Sequence, residues 1–212
     1  MFKKVFLVVS IAIFSVAFVQ AQFTFGARAG FNFTNIYGDD EEGDFKPGFQ
    51  LGVVGEIGIT DAFSIQPGLL FSQQGSKGSE TLYGVKLDVT MNLNYIQMPV
   101  NAQYKLDLGS MKLLFYGGPY LGYGIGGKLK IKAKEGTTKV SDSVKIKFGD
   151  GNDEDIMYID NALDFGMGFG AGLQFGNFQT ALGFNVGLAS MFEDFSSKNN
   201  GLALTVTYLF GK

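Results

Sequence analysis

Period-two alternation runs through almost the whole chain after residue 22, and it limits the fold more than any other feature. In 23–34 the odd positions are Phe23, Phe25, Ala27, Ala29, Phe31 and Phe33, and the even ones are Thr24, Gly26, Arg28, Gly30, Asn32 and Thr34. Successive side chains of a strand point to opposite faces, so one face is large and apolar and the other small or polar. The division recurs in 49–60, 63–74, 162–175, 180–188 and 202–210, and segments 85–106 and 111–132 complete a set of eight strands. Within 85–106 the apolar phase changes from odd (Leu93, Tyr95) to even (Ile96, Met98). A one-residue slip swaps faces, so this predicts a β-bulge or bend near Tyr95-Ile96, beside Pro99.

The second face decides which side is inside. A soluble barrel or sandwich turns bulky apolar residues inward and charges outward. Here the second face is mainly Gly, Ser, Thr, Asn and Gln, and charged residues make up 17% of the chain, against about a quarter in soluble domains. Small polar side chains coat a soluble surface poorly but fill a narrow lumen well. The expectation is an all-β fold, an eight-stranded antiparallel up-and-down transmembrane β-barrel with its apolar face against lipid. Each segment can supply the roughly 9–11 residues that a tilted spanning strand needs. The rival is a helical membrane protein, since 165–192 carries no charge. Against it, each glycine of that stretch would cost about 1 kcal/mol in a helix, and the apolar period is two.

Residues 1–21 stand apart. Met1-Phe2-Lys3-Lys4 is a basic start, Val5 to Val19 is apolar except for Ser10 and Ser15, and Val19-Gln20-Ala21 suits a signal peptidase. The expected organisation is a signal peptide at 1–21 and one barrel domain at 22–212. The apolar run is shorter than the about 20 residues of a spanning helix. Cleavage removes Lys3 and Lys4, so the mature chain is more acidic than the formal net charge of −3, and no nucleic-acid partner is expected.

The connections come in two sizes. Asp61-Ala62, Asp107-Leu108-Gly109-Ser110 and Gly176-Asn177 are short, while 37–46, 75–84, about 133–160 and 191–200 are long and polar. They alternate along the chain, so both termini share one end with the short turns. Outer-membrane barrels have short periplasmic turns and longer external loops, which predicts periplasmic termini. In the longest loop, Lys128, Lys130, Lys132 and Lys134 alternate with Leu129, Ile131 and Ala133, and Val144-Lys145-Ile146-Lys147-Phe148 follows. This predicts a two-stranded ribbon closed around Gly136-Thr137-Thr138 and standing above the membrane. Its lysines read either as a solvated extension or as a contact surface for acidic headgroups or an envelope or secretion partner, through 128–160.

The composition removes most catalytic chemistry. The 212 residues include no His and no Cys, so there is no Ser-His-Asp triad, no thiolate nucleophile and no His or Cys metal ligand. Carboxylates are present, but none is placed at a recognisable site, so neither an enzyme nor a cofactor is expected. Asp150, Asn152, Asp153, Glu154 and Asp155 read as a solvated acidic loop or a weak cation-binding loop. It is not an EF-hand, whose sixth position is Gly where this chain has Asp155. Asp39-Asp40-Glu41-Glu42 is a second acidic run. On the inward face, Arg28, Glu56, Asp164 and Gln97, with Gln50, Gln66, Asn101, Gln103 and Asn185, suit a polar plug. If the first two strands pair about a centre near residue 42, Arg28 lies opposite Glu56, which predicts an ion pair between them.

Several segments resemble a known family. They are Leu93-Asn94-Tyr95-Ile96-Gln97-Met98-Pro99, Gly117-Gly118-Pro119-Tyr120-Leu121-Gly122, Asp164-Phe165-Gly166 with Gly168 and Gly170, and the terminal Tyr208-Leu209-Phe210. In order, from about Gln22 to Phe210, they resemble the small outer-membrane-protein β-barrel family of Gram-negative bacteria, which includes PorT-like, OmpA-like and OmpX-like barrels. Members often carry an acidic residue where this chain has Gln97, and they tend to end on the aromatic, whereas Gly211-Lys212 follow here. The resemblance implies an outer-membrane location, lipid as the surrounding partner, and assembly by the barrel-insertion machinery through the last strand. It implies no activity. A monomeric structural or surface-interaction protein with a plugged lumen is expected. The alternatives are a PorT-like accessory component of a secretion system, by analogy alone, or a narrow pore.

Overall fold

The computed structural model describes residues 22–38, 43–135, 138–192 and 196–211. The leader at 1–21, the acidic run at 39–42 and the ribbon tip at Gly136-Thr137 lie outside the described residues. Eleven strands follow in order: β1 (Gln22–Gly38), β2 (Asp44–Gly58), β3 (Phe63–Gln74), β4 (Ser76–Leu82), β5 (Val85–Asp107), β6 (Lys112–Glu135), β7 (Thr138–Phe148), β8 (Ile156–Ile159), β9 (Leu163–Phe175), β10 (Phe178–Gly187) and β11 (Ser197–Phe210).

Eight of them close a ring of antiparallel neighbours, β1-β2-β3-β5-β6-β9-β10-β11, and β11 returns to β1 from Phe25↔Phe210 to Gly38↔Ser197. Closure leaves no open edge, so every strand can satisfy its backbone groups without water. Among the described residues no helix is long and apolar enough to cross a membrane, and the charge-free stretch forms strands β9 and β10.

The alternation sorts the side chains as its chemistry requires. Phe25, Phe31, Leu51, Val53, Leu69, Phe169, Leu182 and Leu204 face outward and are exposed, part of a belt around the ring. Thr24, Asn32, Gln50, Gln66, Asn101, Gln103, Gln174, Gln179 and Thr207 face inward and are buried. An apolar belt of this extent is intolerable in water and suits lipid. The short connections 59–62, 108–111 and 176–177 share one end with the start of β1 at Gln22 and the end of β11 at Phe210, and the long ones lie toward the other.

Three expectations are refined. First, segment 75–84, expected as a long polar connection, is itself built as a hairpin arm: β4 pairs with β5 from Lys77↔Thr90 to Leu82↔Val85, turning at Tyr83 (φ 50°) and Gly84 (φ 84°). Positive φ at both central residues matches the right-handed twist of a hairpin. Second, the irregularity expected near Tyr95 is present, but β5 does not swap faces there. The register jumps from Asn94↔Gly126 to Tyr95↔Gly124, so the extra residue, Ile125, belongs to β6. Leu93 and Tyr95 stay on the inner face of β5 with Gln97, and it is the chemistry of that face that changes. Third, the expected two-stranded ribbon is present as β6–β7, from Gly127↔Ile146 to Glu135↔Thr138, and it has neighbours: β4, β5, β6, β7 and β8 form one sheet above the ring, with β8 parallel to β7.

Candidate functional site

The lumen is the first candidate. At the short-turn end, Glu56 on β2 meets Lys105 on β5 at 2.6 Å, and both side chains are almost wholly buried. Gln179 Nε2 on β10 donates to Glu56 Oε2 at 2.9 Å, and Gln66 Nε2 on β3 donates to Gln179 Oε1 at 3.0 Å and to Glu56 Oε2 at 3.4 Å. Arg28 on β1 donates through Nε to Thr207 Oγ1 on β11 at 2.9 Å and through Nη2 to Gln66. Gln179 also reaches Gln174 Oε1 on β9 at 3.2 Å. Seven of the eight ring strands therefore contribute to one network across the lumen. Buried charges are costly unless paired or hydrogen-bonded: Glu56 and Lys105 pair with each other, and Arg28 donates to Thr207 and Gln66.

The expected opposition of Arg28 and Glu56 is corrected by the register. Arg28 lies across from Gly52, and Glu56 lies across from Thr24. The hairpin centre falls near residue 40 rather than 42, which moves the two apart along the strand. Gln66 bridges them instead, touching both.

Higher in the lumen, Gln50 Nε2 donates to Asn32 Oδ1 at 2.9 Å and Asn32 Nδ2 to Ser72 Oγ at 3.1 Å. Gln97 is buried and lines a cavity of about 40 Å³ with Arg28, Asn101 and Tyr116, roomy enough for a few waters. Glycine makes space here: a Cβ at Gly183 would overlap the Tyr116 hydroxyl, so the β10 wall admits that ring only because Gly183 has no side chain. Asp164 sits apart from the Glu56 network, near the long-loop end. It accepts from Tyr120 Oη at 3.5 Å and from Asn199 Nδ2 at 3.4 Å.

An apolar cap covers that end. Leu93, Tyr95, Ile146, Ile159 and Met191 are buried together, with Ile36, Met91, Leu129, Phe148, Met157 and Phe192 packed against them. The Tyr95 and Phe148 rings meet edge-on at 5.6 Å. The loop after β7 returns to the barrel mouth to make this cap, held by Gly124 N to Ala162 O at 2.7 Å and Asn161 N to Met191 O at 3.1 Å. Alternation of Val144, Ile146 and Phe148 was the available signal, but nothing local said that this face turns inward. An open vestibule of about 580 Å³ is lined by Met91, Leu129, Met157 and Phe192 of the cap together with Asp44 and Lys77.

Asp150, Asn152, Asp153, Glu154 and Asp155 are exposed on a turn in which Asp153 Oδ1 accepts from the Asp155 backbone N–H at 3.3 Å. Among the described residues no three metal-ligating side chains converge. On the outer face of the upper sheet, Lys128, Lys130, Lys132, Lys134, Lys145 and Lys147 are all exposed. At its edge, Ser79 Oγ donates to Asp88 Oδ1 at 2.6 Å, which with Lys86 at 3.4 Å holds that carboxyl below the usual range.

Solved structures with a similar course are outer-membrane barrels. Ail, the attachment invasion locus protein of Yersinia pestis, is 14% identical, with 89% of this chain and 99% of that chain covered and a TM-score of 0.42. Neisserial surface protein A is 12% identical, with 87% and 96% covered and a TM-score of 0.45. The N-terminal β-barrel domain of Pseudomonas aeruginosa OprF is 14% identical, with 90% and 100% covered and a TM-score of 0.34. A search of curated proteins found no match. A family model described as outer membrane protein beta-barrel domain matches residues 18–193, and the chain belongs to that family.

Proposed function

We propose that this chain is a non-enzymatic outer-membrane barrel whose lumen is plugged and whose role is structural or surface-interacting. The observation that carries the reading is the Glu56–Lys105 ion pair with its glutamine network, topped by the apolar cap. A lumen of eight strands is just filled by side chains, and here polar contacts cross it at one end and apolar packing closes the other. The leader and the alternation of loop lengths support export with periplasmic termini and extracellular long loops. Folding then proceeds through the barrel-insertion machinery, and lipid is the constant partner of the monomer. The acidic loop at 150–155 is part of the solvated surface in this reading.

The test is conductance. Folded protein in a planar bilayer shows negligible steady current; a stable open channel from the unmodified chain would establish the narrow-pore alternative instead. Specific recovery of a secretion complex from crosslinked cells would favour the PorT-like alternative.

A further inference from the structure

We infer that Lys128, Lys130, Lys145 and Lys147 form a docking surface for phosphate-bearing lipid headgroups of the leaflet that surrounds the long-loop end. The inference needs only the lipid-spanning ring and not the plugged lumen or the orientation proposed above.

The bulge on β6 creates the surface. Up to Gly124 the even residues of β6 face the lumen and the odd ones, Leu121, Tyr123 and Ile125, face outward. Continued without interruption, that phase would turn Lys128 and Lys130 inward. The extra residue at Ile125 reverses it: Gly127 pairs with the inward Leu93, Leu129 joins the cap, and the lysines face outward. They therefore continue the same wall that carries the lipid-facing belt.

Height along the strand places them at the headgroups. Lys128 follows the exposed Ile125 by three residues, about 10 Å of strand before tilt is allowed for. Headgroup layers add about 5–8 Å on each side of the hydrocarbon core, and lysine stems reach several ångströms further. On β7, Lys145 lies directly across from Lys128, and Lys147 lies one step nearer the belt.

Charge supplies the second argument. Like charges directly across a ladder are destabilising, yet Lys128↔Lys145 is such a pair. The cross-strand neighbours of Lys128 and Lys130 are Asn92, Thr90, Lys145 and Ser143. Of the carboxylates on this face, Asp88 is held by Ser79 and Lys86, and Asp44 lies across from Lys77, two strands beyond Thr90, the β5 partner of Lys130. Among the described residues none of the four lysines is in an ion pair. A row of phosphate oxygens at the edge of the belt matches both the charge and the position of this cluster.

The test is lysine acetylation, read residue by residue by mass spectrometry. The full-length folded chain is placed in nanodiscs of phosphatidylcholine alone or with one-fifth lipid A, whose headgroup carries two phosphates. Lipid A should slow modification of Lys128, Lys130, Lys145 and Lys147 at least threefold. Lys134, higher on the sheet, and Lys112, at the opposite bilayer face, should keep their rates. In native mass spectra, K128Q/K130Q/K145Q/K147Q should retain at least threefold less lipid A than the unmodified chain. Equal slowing at Lys112, or no slowing at the four lysines, overturns the inference, and both readings hold on the unmodified chain should the variant fail to fold. Protection by soluble inositol hexakisphosphate but not by lipid A also overturns it and points to a soluble polyanion. A ring that fails to enter the disc would instead contradict the barrel itself.

Discussion

Glu56 and Lys105 meet on the inner wall at 2.6 Å from strands that flank β3 in the ring, β2 and β5. The pair therefore ties two strands that share no backbone ladder, reaching over β3. Lys105→Met removes one charge and leaves the carboxylate buried without its lysine, which costs about 3–5 kcal/mol. Glu56→Gln combined with Lys105→Met removes both charges together and recovers most of that loss. Urea titrations in detergent, followed by the gel mobility of unboiled samples, measure the two midpoints.

The face assignment makes a second prediction. Phe169, at the centre of β9, is exposed on the outer wall, and Phe169→Arg should cost about 2–4 kcal/mol of folding into bilayers. Its neighbours behave differently. A Cβ at Gly168 would come within 2.5 Å of Asn185 Oδ1, the far end of a side chain that can move, so Gly168→Ala is mild. A Cβ at Gly118 would overlap the Val100 carbonyl oxygen, which is backbone, so Gly118→Ala is severe. Vesicle-folding yields should rank Gly168→Ala above Gly118→Ala.

The bulge on β6 depends on Gly126, whose φ of 131° disfavours any side chain. Gly126→Val should destabilise although a Cβ there meets nothing closer than the Ile146 carbonyl oxygen at 3.4 Å. Deleting Ile125 should be worse, because it returns the lysines of β6 to the lumen side. Circular dichroism melts of both variants check the order.

On the upper sheet, Ser79→Ala should raise the Asp88 pKa toward that of a free carboxylate. The folded-state value is depressed, chiefly by the Ser79 hydroxyl and then by Lys86. A depressed carboxylate contributes stability above its unfolded pKa and loses it as pH falls through the folded value. Ser79→Ala should therefore weaken the acid dependence of the β4–β5 hairpin, read by NMR titration of the Asp88 side chain.

The eight ring strands were legible because lipid outside and small polar groups inside imprint a period of two at nearly every residue. Strand β4 was not, because Lys77, Ser79 and Thr81 alternate with Gly78, Glu80 and Leu82 and neither face is apolar. The inward position of Lys105 follows from the same alternation that places Asn101 and Gln103. Its pairing with Glu56 does not, because that contact depends on the curvature and stagger of the whole ring. The shift of Arg28 from Glu56 to Gln66 has a similar origin: moving a hairpin centre by two residues leaves every face unchanged and every cross-strand partner different. The cap was hidden because Leu93 and Tyr95 put apolar residues on the inner face, where the alternation elsewhere puts polar ones.

The central claim is that the large apolar residues face lipid and the polar ones face a closed lumen. The chain has no Cys, so single cysteines can be placed along β9 and spin-labelled without background. Collision rates with oxygen, which enriches in lipid, and with a water-soluble nickel chelate should be read in bilayers at 164–173. Labels at 165, 167, 169 and 173 should show high oxygen and low nickel accessibility, and labels at 164, 166, 168 and 170 should be low in oxygen. Reversed phase, or no period of two, would contradict the account.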